Sequence, residues 1–164
     1  MKYLFLMRHG KSSWKNPNLD DLDRPLNKRG RNDVPLISNI LAETNILPEL
    51  ILSSPSKRTL ETAKILCTVI RQPEKIIKPD ENIYEASKET LLEIIKKIPE
   101  SINRTMIVGH NPGLTILNNF LSDKRIDNIP TSGMVLMEMN IKKWKDTDNG
   151  KGKILTFDYP KKYK

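Results

Sequence analysis

One cysteine and two histidines are all that 164 residues hold of those two side chains. A lone Cys67 excludes an internal disulfide. It falls in an apolar helical pattern, which reads as a buried packing residue in a reducing compartment. Aromatic residues make up only 5%, too few for the stacked basic surface that single-strand binders use, so nucleic acid is not an expected partner. No stretch approaches the ~20 apolar residues of a membrane span. The apolar start, Leu4 to Met7, is too short for a signal peptide, and Arg8 ends it without a small-residue cleavage site. The expected setting is cytoplasmic, with no membrane partner. Low-complexity segments and solenoid-period repeats are also missing.

What is present is a basic chain with 37% hydrophobic residues and a formal net charge of +8. That is enough for one domain with a real core, expected to span 1–164. The lysines are scattered, with one cluster at Lys161, Lys162 and Lys164 that reads as a solvated end. A modest share of the charge can steer anionic substrates.

Strand and helix patterns alternate along the chain. Lys2–Met7 reads as a central strand, followed by a long polar loop from Lys11 to Asn27. A helical pattern at Val34, Ile37, Ile40 and Leu41 contains Pro35, which predicts a start near Asp33 or a kink there. Leu50–Leu52 is a short strand. Ser54 then reads as an N-cap and Pro55 as the first helical residue, with an apolar stripe through Leu60, Ala63, Leu66, Cys67 and Ile70. Lys75–Lys78 predicts a short strand, Ser87 a capped helix stopped at Pro99, and Thr105–Val108 another strand. Asn111-Pro112 opens one more helix. After Pro130 the spacing shifts to alternation, over Val135–Ile141 and Ile154–Tyr159, which predicts an antiparallel hairpin. The whole predicts an α/β fold: a three-layer α/β/α sandwich on a mostly parallel sheet with an antiparallel edge hairpin.

In such sheets ligands bind beyond the carboxyl ends of the strands. Three segments end there with charged or titratable residues: Arg8-His9-Gly10, Ser53 through Arg58, and Gly109-His110-Asn111-Pro112. Arginines hold two oxygens of a phosphoryl group in a planar fork and stay charged. A histidine can attack phosphorus with one ring nitrogen when the other is fixed by an acceptor. Arg8, Arg58, His9 and His110 can fill these roles alone. With no P-loop, no paired-histidine helix motif and no carboxylate cluster, neither metal nor other cofactor is expected. Glu85 is the candidate general acid for the leaving group. Arg24 is either a further phosphate or substrate contact or a loop arginine pairing with Asp20, Asp21 or Asp23. Ser12 and Ser13 are expected to shape the loop, Asn111 to cap a helix, and Trp14 and Trp144 to be packing or rim residues.

Leu6-Met7-Arg8-His9-Gly10 resembles the Arg-His-Gly signature of the histidine phosphatase superfamily, which includes phosphoglycerate mutases and acid phosphatases. The resemblance extends through Arg24 to Gly30, Ser53 to Ala63, Val108 to Leu114 and Pro130 to Gly133, and is greatest to the small SixA-type phosphohistidine phosphatases. It implies a phosphoglycerate mutase-like fold and His9 as the phosphorylated nucleophile. It also implies a phosphate pocket of Arg8, Arg58 and His110. Arg24 matches a basic residue that SixA-type proteins place at the phosphate; Glu85 falls where mutases keep a proton donor, a position at which the SixA type does not consistently keep an acid. The expected partner is a phosphorylated substrate: a phosphohistidine protein or, alternatively, a small phosphoester such as a sugar phosphate. A non-catalytic module binding a phospho-ligand or nucleic acid is the alternative of another class.

Overall fold

The computed structural model describes residues 1–164. Six strands form one sheet: β1 (Lys2–Arg8), β2 (Leu50–Ser53), β3 (Ile77–Pro79), β4 (Arg104–Gly109), β5 (Met134–Met139) and β6 (Gly152–Asp158), in the order β3-β2-β4-β1-β5-β6. β1, β2, β3 and β4 run parallel, and β5 and β6 add antiparallel at one side. Four helices cover the faces: α1 (Lys28–Ala42), α2 (Lys57–Val69), α3 (Lys88–Lys96) and α4 (Gly113–Leu121). None is long and apolar enough to cross a membrane.

The three layers follow from the two-residue period of the strands. On β1, Leu4 and Leu6 join a buried cluster with Leu91, Ile95, Leu114 and Leu117 of α3 and α4. Phe5 and Met7 point the other way, into a cluster with Val34, Ile37, Ala63, Leu66 and Cys67 of α1 and α2. Because β1 is buried on both faces it reads as a continuous apolar run. It delivers its last residues to a water-poor edge of the sheet.

Several local readings are corrected. Helix α1 begins at Lys28, well before Asp33, because Asn27 accepts a hydrogen bond from the Gly30 N–H at 2.9 Å; Pro35 lies inside the helix. Helix α2 is capped by Ser56, whose hydroxyl accepts from Thr59 N–H, so Pro55 lies outside it. Strand β3 starts at Ile77, after a 3-10 turn over Glu74–Ile76. Trp144 is fully buried and donates its indole N–H to the Ile102 carbonyl. The lysine tail is not simply solvated: Lys164 pairs with buried Asp33 and Lys162 with Asp158.

Gly10 is needed for space, not for turning. A Cβ there would stand 2.8 Å from Val34 Cγ2 and 3.0 Å from Leu26 Cδ2, and its φ is not positive. The chain leaving β1 passes under α1 only because nothing projects from that Cα.

Candidate active site

Strand register builds the site. β1 and β4 are parallel neighbours with Arg8 opposite Gly109. The next residue of each chain is a histidine, so His9 and His110 emerge side by side, their ring centroids 5.3 Å apart. β2 pairs with β4 on its other side with Ser53 opposite Val108. That places Ser54 next to the same point, and its Oγ lies 2.8 Å from His110 Nε2. Ser54, read from sequence as a helix cap, is therefore a site residue.

Both histidines are buried. His9 Nδ1 lies 2.8 Å from the Gly10 carbonyl oxygen. A carbonyl only accepts, so Nδ1 carries the proton and the Nε2 lone pair is free. Burial, with the nearby His110, Arg58 and Arg8 charges, pulls His9 down to about 3 against the raising effect of the Gly10 bond. Burial, then Arg58, brings His110 down to about 4. At neutral pH the pair is uncharged, which leaves His9 the lone pair that a nucleophile requires, while His110 keeps one N–H to donate.

Three arginines supply the positive charge. Arg58 lies in the first turn of α2 and is buried. Its two terminal nitrogens donate to Asp21, at 2.7 Å to the carbonyl oxygen and 2.9 Å to Oδ2. Arg24 donates from Nε to Asp21 Oδ1 at 3.1 Å, and its guanidinium stacks 3.5 Å from the centroid of the Trp14 ring. Trp14 itself is 73% exposed, a rim residue. Arg8 donates to the Ile129 carbonyl at 3.1 Å. Each of the three keeps one buried nitrogen without a partner: Arg8 Nε, Arg24 Nη1 and Arg58 Nε. Buried donors are rarely left unpaired; Arg8 and Arg58, whose charges are felt at both histidines, and Arg24, joined to Arg58 through Asp21, make a candidate anion site.

Tyr84 closes one side. Its ring stands edge-on to His110 with centroids 5.3 Å apart, and its hydroxyl donates to Asp21 Oδ2. Burial and that bond push the phenol up to about 12. Glu85 is not brought into the buried group. It is exposed, at φ 50°, and its charge is felt at Tyr84. Ser12 and Ser13 shape the loop, through the Ser12–Leu26 bridge and the Ser13 N–H to Pro25 carbonyl bond. Asn111 is not the N-cap of α4, which is Pro112, but its Oδ1 accepts from Thr115 N–H and Oγ1 in the first turn.

Residues 4–106 match the model of the histidine phosphatase superfamily, branch 1. The chain belongs to that superfamily. It is a phosphatase-class hydrolase with the phosphoglycerate mutase-like fold. An uncharacterised chloroplast protein of Arabidopsis thaliana is 33% identical over 151 residues, covering 87% of this chain and 69% of its own. The SixA structure from Agrobacterium tumefaciens shares 27% identity over 97% of this chain and 98% of its own, with a TM-score of 0.80. A tungstate complex of the protein histidine phosphatase SixA superposes with a TM-score of 0.84 at 18% identity, covering 99% of each chain. Among superfamily members this chain is thus similar to the SixA proteins over its full length.

Two residues of the candidate site, Ser54 and Tyr84, have no part in the sequence-based site, and Asp21 enters it only as one possible partner of Arg24. Ser54 was masked by an equally good capping role. Of the three loop aspartates expected as partners for Arg24, Asp21 is the one that pairs with it, and its bonds to Arg58 and Tyr84 come only with the fold. Tyr84 stood beside Glu85, which has the more obvious chemistry.

Proposed function

We propose that this phosphatase removes the phosphoryl group from protein phosphohistidine through a phospho-His9 intermediate, without a metal. The observation that carries the reading is His9 itself: a buried, neutral imidazole with Nδ1 tied to Gly10 and Nε2 free, beside arginines with unpaired N–H groups.

In the first step the Nε2 lone pair attacks the phosphorus of a phosphohistidine whose other ring nitrogen carries a proton taken from solvent, the substrate P–N bond breaks, and neutral imidazole leaves with the bonding pair. The bond formed is of the same type as the bond broken, so no strong acid is required. In the second step water attacks the phosphorus of phospho-His9 and loses a proton. The P–N bond returns its electrons to Nε2, and inorganic phosphate departs. Arg8, Arg24 and Arg58 bind the equatorial oxygens where charge gathers. His110, its ring held by Ser54, donates to the same oxygens. Positive charge comes from guanidinium groups, so the mechanism asks nothing of a metal.

Two features support a protein substrate. Only residues 80–87 separate β3 from α3, with no inserted lid over the site. Glu85 is exposed and outside the buried group, whereas a small phosphoester would need an acid for its alkoxide. The single buried thiol of Cys67 suits a cytoplasmic setting.

The test is hydrolysis of a phosphohistidine protein and of sugar phosphates, side by side, in excess chelator. The expected result is turnover of the phosphohistidine protein that is lost in His9→Ala. Activity that needs added metal, or that survives this substitution, overturns the mechanism. Preference for sugar phosphates overturns the substrate.

A further inference from the structure

Asp21 lies in a 3-10 turn of the long loop after β1, three residues before Arg24 and far in sequence from Arg58 and Tyr84. Four donors from three segments converge on it. Arg58 Nη2, Arg24 Nε and the Tyr84 hydroxyl donate to its carboxylate, and Arg58 Nη1 donates to its carbonyl. Of the nitrogens these bonds leave over, Arg58 Nε and Arg24 Nη1 are buried and unpaired. The Asp21 side chain is 39% exposed while those of Arg58 and Arg24 are 5% and 9% exposed. The carboxylate thus holds two nearly buried guanidinium groups from a more exposed position.

Charge points the same way. Arg8, Arg24 and Arg58 bring three positive charges, and both histidines are neutral at pH 7. Burial would raise the Asp21 carboxyl, but the bonds from Tyr84 and Arg58 outweigh it and hold it at about 2. It is fully ionised, and the sum is two positive charges, equal in size to a dianionic phosphoryl group.

Resting on the phosphatase reading, we propose that Asp21 is a positioning residue: it fixes Arg58 and Arg24 so that their remaining N–H groups face the phosphoryl group, and holds Tyr84 against His110. It touches the substrate only through these residues. The opposite role is a carboxylate that competes with phosphate for the arginines.

Inorganic phosphate binding, measured by calorimetry at neutral pH, gives opposite signs for the two roles. Removing a negative charge beside an anion site strengthens binding unless the charge was organising the site. Asp21→Asn is expected to weaken phosphate binding about tenfold, and Asp21→Glu to restore part of it. In an Arg58→Ala background the same Asn substitution is expected to cost much less, because the two act as one unit. Circular dichroism and the thermal midpoint confirm that each variant is folded; if the Asn variant is not, the Glu variant carries the comparison, with weakening expected there too. Tighter or unchanged binding in folded variants overturns the proposal, as does an undiminished loss in the Arg58→Ala background. The readout needs no turnover. A wild type inactive on every phosphorylated substrate sinks the functional reading, while the binding series still decides the role of Asp21.

Discussion

The hydroxyl of Ser54 and Nε2 of His110 lie 2.8 Å apart, which ties the end of β2 to the end of β4 at the centre of the site. The same hydroxyl accepts from the Ser56 N–H at 3.3 Å, so the cap of α2 and the orientation of His110 share one network.

Ser54→Ala is therefore expected to lower kcat with little change in KM. The loss of one hydrogen bond of ~0.5–1.5 kcal/mol sets the effect at about tenfold or less. Steady-state kinetics on an aryl phosphate checks this. The thermal midpoint should move only a few degrees, since Ser56 still caps the helix.

Acid sensitivity follows from the two histidines. In the folded protein His9 and His110 bind protons at about 3 and about 4, well below the ordinary value of 6.5. Between 6.5 and these values the unfolded chain takes up more protons than the folded one, so stability falls as pH falls through that window. Asp21 acts in a lower window. Its stabilisation is present above its ordinary 3.8 and is lost as pH falls towards 2. Thermal midpoints measured from pH 7.5 to 4.5 should decline, and less steeply in His110→Gln. An equal slope in that variant would contradict the burial argument.

Gly113 tests how the Tyr84 segment is seated. A Cβ at this first residue of α4 would stand 2.0 Å from the Ala86 carbonyl oxygen. Gly113→Ala must push residues 84–86 outward and is expected to cost about 1–3 kcal/mol of stability. Activity should fall as well, because Tyr84 leaves His110. Chemical denaturation and kinetics on the same variant check both effects.

Glu85→Gln should leave phosphohistidine hydrolysis within about twofold of wild type, since surface substitutions away from working groups have small effects. A large loss on that substrate would place the exposed carboxylate in the reaction.

The two histidines and Arg8 were legible because each follows directly on an apolar strand, where sequence position and sheet geometry coincide. The sandwich was legible for the same reason: strands buried on both faces and helices with one apolar stripe leave few arrangements. Asp21 is legible only as one of three loop aspartates within reach of Arg24; its bond to Arg58, thirty-seven residues away, comes only with the fold. Ser54 and Ser56 show the other limit. Both are serines beside Pro55, and local propensity does not say which caps the helix; Ser54 is withdrawn from capping by His110, a residue from another strand. The start of α1 was placed late because Pro35 carried more weight than the cap at Asn27.

The central claim is that phosphorus is bonded to His9 during turnover. The most direct measurement is mass spectrometry of peptides from enzyme quenched under alkaline conditions during reaction with excess phosphohistidine protein. A phosphoryl adduct is expected on the peptide containing His9, accumulating in His110→Ala and missing in His9→Ala. Steady turnover by His9→Ala, or an adduct on His110 in place of His9, would contradict it.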